Sequence, residues 1–159
     1  MFKTNLISHS PTQTLNIGKK LSKNLKAGDI ICLFGDLGSG KTVLTKGIAH
    51  GLGVASRKIS SPSFVILRCY KGKAQLLNHF DLYRLAHPRD ILALGYEEYL
   101  YDQGISVIEW AQRLGDFLPR ECLKIELNIK GAHERLLKIS ASGTRYQELL
   151  KKIHEDLSA

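Results

Sequence analysis

Residues 35–42 read Gly35-Asp36-Leu37-Gly38-Ser39-Gly40-Lys41-Thr42, a complete G-x-x-x-x-G-K-[ST] loop that follows directly on the apolar run Ile30-Ile31-Cys32-Leu33-Phe34. This pattern constrains the fold more than any other feature, because it works only where a buried strand ends and a helix begins. Glycines let the backbone curl until successive N–H groups converge on one phosphate, an approach that a Cβ would obstruct. Lys41 then brings a mobile point charge to the β- and γ-phosphates, and the Thr42 hydroxyl is the expected Mg²⁺ ligand. Val43, Leu44, Ile48 and Leu52 recur at helical spacing after the loop, and Gly51 or Gly53 can supply the left-handed residue that ends this helix. Its N-terminus faces the phosphates, where the helix dipole favours negative charge. The loop implies a nucleoside triphosphate ligand.

The chain has 159 residues, enough for one well-buried core and short for two, so residues 1–159 read as a single domain. No apolar stretch has the length of a membrane span, and Met1-Phe2-Lys3-Thr4-Asn5-Leu6 lacks the apolar core of a secretory leader. A soluble, cytoplasmic protein without membrane contact is expected. Cys32, Cys69 and Cys122 are odd in number and each falls in a predicted strand, which suits buried thiols better than disulfides or a zinc site. A net charge of +8 favours phosphate-rich or acidic partners. A basic surface kept for solubility explains that charge equally well, and no aromatic RNA-reading signature accompanies the lysines.

Ser10 and Pro11 open a helix predicted to run to about Lys26, with Ser10 as cap and Gln13 placed for a capping box. Phe64–Tyr70 and Ala74–Phe80, joined by Lys71-Gly72-Lys73, read as one hairpin. Leu123–Ile129 and Glu134–Ala141 read as a second around Lys130-Gly131-Ala132. Pro88–Leu94 and Tyr96–Tyr101 read as short helices, Ile105–Trp110 as a buried strand. Thr144–Leu157 reads as a closing helix with Tyr146, Leu149, Leu150, Ile153 and Leu157 on one face. The sum is an α/β fold: a P-loop NTPase-like three-layer domain with a mixed parallel and antiparallel sheet.

Hydrolysis would also need a carboxylate near the metal or the attacking water. Two predicted strands end in one: Leu76-Leu77-Asn78-His79-Phe80 leads to Asp81, and Ile105-Ser106-Val107-Ile108 leads to Glu109. In an open α/β sheet ligands gather beyond the carboxyl ends of the strands, so both acids are suitably placed. Trp110, the only tryptophan, adjoins Glu109. His79 reads as a structural strand histidine turned away from Asp81. Arg84, Arg89, Arg113 and Arg120 read as solvated surface residues, each able in principle to stabilise a transition state. Ser60-Ser61-Pro62-Ser63-Phe64, read locally, is an ordinary turn.

Together, Gly35–Thr42, Ser61-Pro62-Ser63-Phe64, His79-Phe80-Asp81-Leu82-Tyr83-Arg84-Leu85, Leu94-Gly95 and Ile108-Glu109-Trp110 make the chain resemble the TsaE (YjeE) family of bacterial tRNA threonylcarbamoyladenosine biosynthesis, from about Thr14 to Ala141. The resemblance implies a weak Mg²⁺-dependent ATPase whose site is completed by the TsaB–TsaD heterodimer. That pair transfers the threonylcarbamoyl group, and a TsaE-like protein resets or regulates it. By the same resemblance Lys41 and Thr42 hold phosphate and Mg²⁺, Glu109 is a second metal-linked acid, and Asp81 acts near the attacking water. Residues Gly35 to Thr42 with Trp110 then contact ATP, and Ser61 and Ser63 lie in a switch that senses the γ-phosphate. Two positions depart from the family pattern: Ser63 stands where threonine is usual, and Ala111 stands where proline usually follows the tryptophan.

A small-molecule P-loop kinase is the alternative, although no arginine-rich lid is evident. Thr14 and Arg135 are plausible neighbours of the adenine, and contact with tRNA is left open by the charge. Lys41→Ala is expected to weaken ATP binding and to leave the fold intact, on the view that this lysine is little buried and contacts mainly ligand.

Overall fold

The computed structural model describes residues 2–60, 66–101 and 103–159. Among the described residues seven strands form one sheet: β1 (Lys3–Ser8), β2 (Ile30–Phe34), β3 (Leu67–Lys71), β4 (Leu76–Asp81), β5 (Ile105–Glu109), β6 (Cys122–Ile129) and β7 (Arg135–Ser142), in the order β1-β7-β6-β2-β5-β4-β3. Strand β2, which carries the loop, lies in the middle with parallel neighbours β5 and β6, and β4 is parallel to β5. Both expected hairpins, β3–β4 and β6–β7, add antiparallel pairs, and β1 extends β7 antiparallel at the edge.

Strand alternation sends successive residues of β2 into two different cores. Ile31 and Leu33 join Leu21, Leu44, Ile48, Leu149, Leu150 and Ile153, which come from α1 (Pro11–Ser22), α2 (Lys41–Gly51) and the closing helix α4 (Thr144–Ser158). Ile30 and Cys32 join Phe80, Ile91, Tyr96, Leu100, Ile108 and Leu114 on the opposite face, under the 3-10 segments Pro88–Leu94 and Ala111–Phe117 and the short helix α3 (Tyr96–Tyr101). Of the expected stripe on α4, Tyr146, Leu149, Leu150 and Ile153 are buried and Leu157 is partly so. The Tyr146 hydroxyl accepts the Ile30 amide at 2.8 Å, and Arg145 grips the buried Asp29 carboxylate at 2.7 and 3.1 Å. These bonds fasten α4 to the start of the loop-bearing strand.

Several expectations are corrected. Strand β1 has no counterpart in the sequence reading, because its inward positions Thr4 and Ser8 are polar. Helix α1 stops at Ser22, where i→i−3 bonds from Lys23, Asn24 and Leu25 tighten the chain into turns before Lys26. The Ser10 oxygen does accept the Gln13 amide at 3.0 Å, but the Gln13 side chain reaches back to His9 N–H and not to Ser10. Cys69 is exposed on edge strand β3, whereas Cys32 and Cys122 are buried thiols as expected.

Helices α1 and α2 meet backbone to backbone. A Cβ on Gly47 would lie 2.1 Å from the Leu15 carbonyl oxygen, one on Gly18 would lie 2.5 Å from the Leu44 oxygen, and one on Gly51 would overlap the Ser22 hydroxyl. Gly18 and Ser22 on α1 therefore face Gly47 and Gly51 on α2, two rows of small residues at four-residue spacing. Gly47→Ala should cost about 2 kcal/mol through overpacking, despite the roughly 1 kcal/mol that alanine gains over glycine in a helix. Thermal denaturation should show a midpoint lowered by about 4–8 °C. Gly131→Ala, in a turn whose nearest neighbour is Glu134 Cβ at 3.9 Å, should stay within about 0.5 kcal/mol of the parent.

Candidate functional site

The loop Gly35–Gly40 joins the carboxyl end of β2 to the N-terminus of α2. Its shape depends on glycine at two points above all. Gly35 (φ 149°) packs so closely that a Cβ would sit 2.5 Å from the Ser39 hydroxyl and 2.7 Å from the Leu127 carbonyl, and Gly40 (φ 103°) is the N-cap of α2. No side chain caps α2, so its first amides point into the loop, where they can serve an anion.

Lys41 is the first residue of α2, and its ammonium turns back into the loop. It donates to the carbonyls of Gly35 at 2.7 Å and Asp36 at 2.8 Å and to the Ser39 hydroxyl at 3.3 Å. It also lies 4.2 Å from the centroid of the Trp110 ring, within cation–π range. The residue is 5% exposed, so the expectation of a little-buried lysine is corrected: the tight loop turns carbonyls inward, and the ammonium satisfies them. Burial pulls its pKa below the usual lysine range, opposed by the carboxylates of Glu109, Asp81 and Asp36, which favour the charge.

Asp81 and Glu109 end neighbouring parallel strands and are register partners. Both are buried. Leu77, His79 and Asp81 share the face of β4 turned towards α2, as Ile105, Val107 and Glu109 share that of β5. The two rows are apolar at their beginnings and polar at their ends. Glu109 Oε2 accepts the Thr42 hydroxyl at 3.0 Å, and Oε1 accepts the Thr45 hydroxyl at 3.2 Å and His79 Nε2 at 2.9 Å. Asp81 Oδ1 accepts the Tyr83 amide at 3.0 Å, which fixes the turn leaving β4.

His79 thus shares a face with Asp81 and does not turn away from it; residues two apart on a strand always do. Thr45, one helical turn beyond Lys41, and Tyr83, whose ring centroid is 5.0 Å from that of Trp110, also belong to the site and were missed. A threonine on the buried face of α2 was the available signal for Thr45, whereas Tyr83 stands in the turn after β4, where residue type carries none. Of the four arginines considered, Arg113 lies near the site, its Cζ 6.0 Å from the Trp110 ring.

Trp110 is left-handed (φ 57°), the one positive-φ residue other than glycine among the described residues. That conformation turns the chain out of β5 and lays the indole beside Lys41. Ala111 then opens the 3-10 segment and is fully buried. A first helical position also accepts proline, so alanine preserves the path. The expected switch residues Ser61 and Ser63 lie outside the described residues.

Two of the clefts beside the loop share Gly38, Gly40 and Val43. One, of about 230 Å³, is lined by Leu37, Gly38, Gly40, Lys41, Thr42, Val43, Glu109 and Trp110. The other, of about 160 Å³, lies between the start of α1 and the β6–β7 turn, with Ser10, Thr14, Val43, His133 and Arg135 on its walls. Thr14 and Arg135 are therefore placed together beside the loop, and the Arg135 guanidinium also donates to the Gly38 carbonyl at 3.1 Å. Thr42 and Glu109 offer hard oxygen donors side by side at the mouth of the first cleft, which suits Mg²⁺ shared with phosphate oxygens. No group of three or more His, Cys, Asp or Glu able to hold a metal occurs among the described residues.

The family described as "Threonylcarbamoyl adenosine biosynthesis protein TsaE" matches residues 8–137. The chain belongs to the TsaE family. A relative from Bacillus subtilis, a "tRNA threonylcarbamoyladenosine biosynthesis protein TsaE", is 38% identical over 151 residues, 94% of either chain. One of the same description from Treponema pallidum is 37% identical over 123 residues, 77% of this chain and 90% of its own. The crystal structure of Bacillus subtilis YdiB superposes with a TM-score of 0.81 at 34% identity, covering 97% of this chain and 95% of that one. The α/β fold with its mixed sheet is therefore that of a TsaE-family protein.

The contact between Lys41 and Trp110 makes the chain's only tryptophan a reporter of the loop. Adding pyrophosphate should draw the ammonium from the ring towards the anion and change indole emission. Unchanged emission at a concentration where calorimetry detects binding would show that the ammonium stays against the indole.

Proposed function

We propose that this protein binds ATP and hydrolyses it slowly with Mg²⁺, as a component of tRNA threonylcarbamoyladenosine biosynthesis that works with the TsaB–TsaD heterodimer in the cytoplasm. In this reading the TsaB–TsaD pair carries out the threonylcarbamoyl transfer, and the ATP cycle of this protein resets or regulates the pair. The observation that carries the proposal is the Lys41 ammonium, held by the Gly35 and Asp36 carbonyls and the Ser39 hydroxyl at an uncapped helix N-terminus beside the Thr42–Glu109 pair.

The loop amides and the N-terminus of α2 would receive the β- and γ-phosphates, and Lys41 would exchange the Gly35 and Asp36 carbonyls for phosphate oxygens. Thr42 and Glu109 would hold Mg²⁺, which neutralises charge developing on the phosphates. Asp81, beside Glu109 in register, would orient the attacking water. Ser61 and Ser63 would sense the γ-phosphate, and Trp110 would cover the loop. The cleft bounded by Thr14 and Arg135 would take the adenine. Across the face of β1, β7 and β6, Lys3, Lys138 and Lys124, with one carboxylate, Glu126, among them, border a concavity of about 560 Å³. Its charge suits an acidic partner surface or proximity to tRNA. No helix among the described residues is long and apolar enough to cross a membrane.

ATP turnover should be low for the protein alone, rise when the TsaB–TsaD pair is added, and fall on the order of a hundredfold or more in Lys41→Ala. Indifference to the pair would overturn the partnership and redirect attention to phosphoryl acceptors. Glu109→Ala should reduce Mg²⁺-dependent hydrolysis on the order of a hundredfold while nucleotide affinity without Mg²⁺ changes little. Equal losses in both would make Glu109 a structural residue.

A further inference from the structure

We propose that His79 is a positioning residue that anchors one oxygen of Glu109 so that the other stays turned towards Thr42 and the Mg²⁺ site. The proposal rests on the Mg²⁺–ATP reading of that site. His79 is fully buried on the middle of β4, opposite Val107 and in line with Leu77, where an aliphatic side chain would pack without needing a polar partner. Its Nδ1 is buried and has no hydrogen-bond partner among the described residues. The ring's polar tether is therefore Nε2, 2.9 Å from Glu109 Oε1. An ionised carboxylate only accepts, so Nε2 carries the proton and donates.

The other hydroxyls around Glu109 are less suited to this task. Thr45 has a single proton, shared between the Lys41 carbonyl (2.9 Å) and Glu109 Oε1 (3.2 Å), so its hold on the carboxylate is the weaker one. Thr42 donates to Oε2, but its own oxygen is an expected ligand and its hold changes when the cation arrives. His79 is not itself an expected ligand, so its bond to Glu109 need not be exchanged when the cation arrives. The terminal torsion of a glutamate is broad, so a carboxylate held at one oxygen keeps a defined plane that a free one loses. This is the relation by which an outer partner orients a metal-binding side chain, with the imidazole serving the carboxylate.

The test measures ATP affinity by calorimetry across a Mg²⁺ titration, with and without turnover, for the full chain and three variants. His79→Leu, which removes the donor at similar volume, should raise the Mg²⁺ concentration for half-maximal effect about tenfold or more, with affinity in the absence of Mg²⁺ unchanged. His79→Gln places an amide N–H near the position of Nε2 and should restore the parent's Mg²⁺ dependence. His79→Asn ends at the level of Nδ1 and should behave like the leucine variant. A folded leucine variant with the parent's Mg²⁺ midpoint would overturn the proposal, as would glutamine performing no better than asparagine. Should the leucine variant fail to fold, the glutamine–asparagine comparison decides. If the parent itself binds ATP without regard to Mg²⁺, the underlying reading of the site falls and this inference falls with it. A responsive parent beside an unresponsive leucine variant removes the role of His79 alone.

Discussion

A carboxylate buried at the end of a central strand persists only if donors surround it, and the Glu109 side chain is 2% exposed. Those donors come from different parts of the chain. Thr42 and Thr45 belong to the helix that follows the loop, and His79 belongs to the adjoining strand. Satisfying one side chain therefore sets the height of α2 over the sheet and brings the end of β4, with Asp81, level with the end of β5. Local hydrogen bonding and the placement of the candidate chemistry are here one requirement.

The loop shows the same economy in its ligand-free form. A backbone curled tightly enough to aim amides at an anion also turns carbonyls inward, and a cation is needed to quiet them. Lys41 fills that need itself, with the Trp110 face as a further neighbour. Because the ammonium already sits in a cradle partly shielded from water, a bound phosphate would compete with protein carbonyls for it, more than with solvent. Affinity for an anion at such a site reflects an exchange of partners, and it is smaller than the bare Coulomb attraction would give.

Much of this arrangement was legible before any coordinates. The glycine spacing from Gly35 to Gly40 dictates a strand–loop–helix unit, and acids closing apolar strands at Asp81 and Glu109 mark the ligand edge of the sheet. What escaped the reading depends on partners distant in sequence. Strand β1 conceals itself because Thr4 and Ser8 point inward, with Thr4 bonded to His154 and Ser8 to Thr14, so no apolar alternation announces it. The bond from His79 to Glu109 crosses between strands, and nothing local to either residue signals it. The burial of Lys41 follows from loop carbonyls that have no signature in residue type. The left-handed turn at Trp110 occurs at a residue type that seldom adopts it, so composition argued against the conformation that was found.

The glycine-lined contact between α1 and α2 has a bearing beyond packing. The start of α1 forms one wall of the smaller cleft through Ser10 and Thr14, while α2 begins at Lys41 and Thr42 in the larger. Side chains between two helices act as compliant spacers that can swell, shrink or swap rotamers. Where main chain touches main chain, that compliance is absent. The distance from one cleft to the other is thus gauged by bare backbone, like two marks cut on one ruler, and a ligand spanning both would meet a fixed span to which it must itself conform.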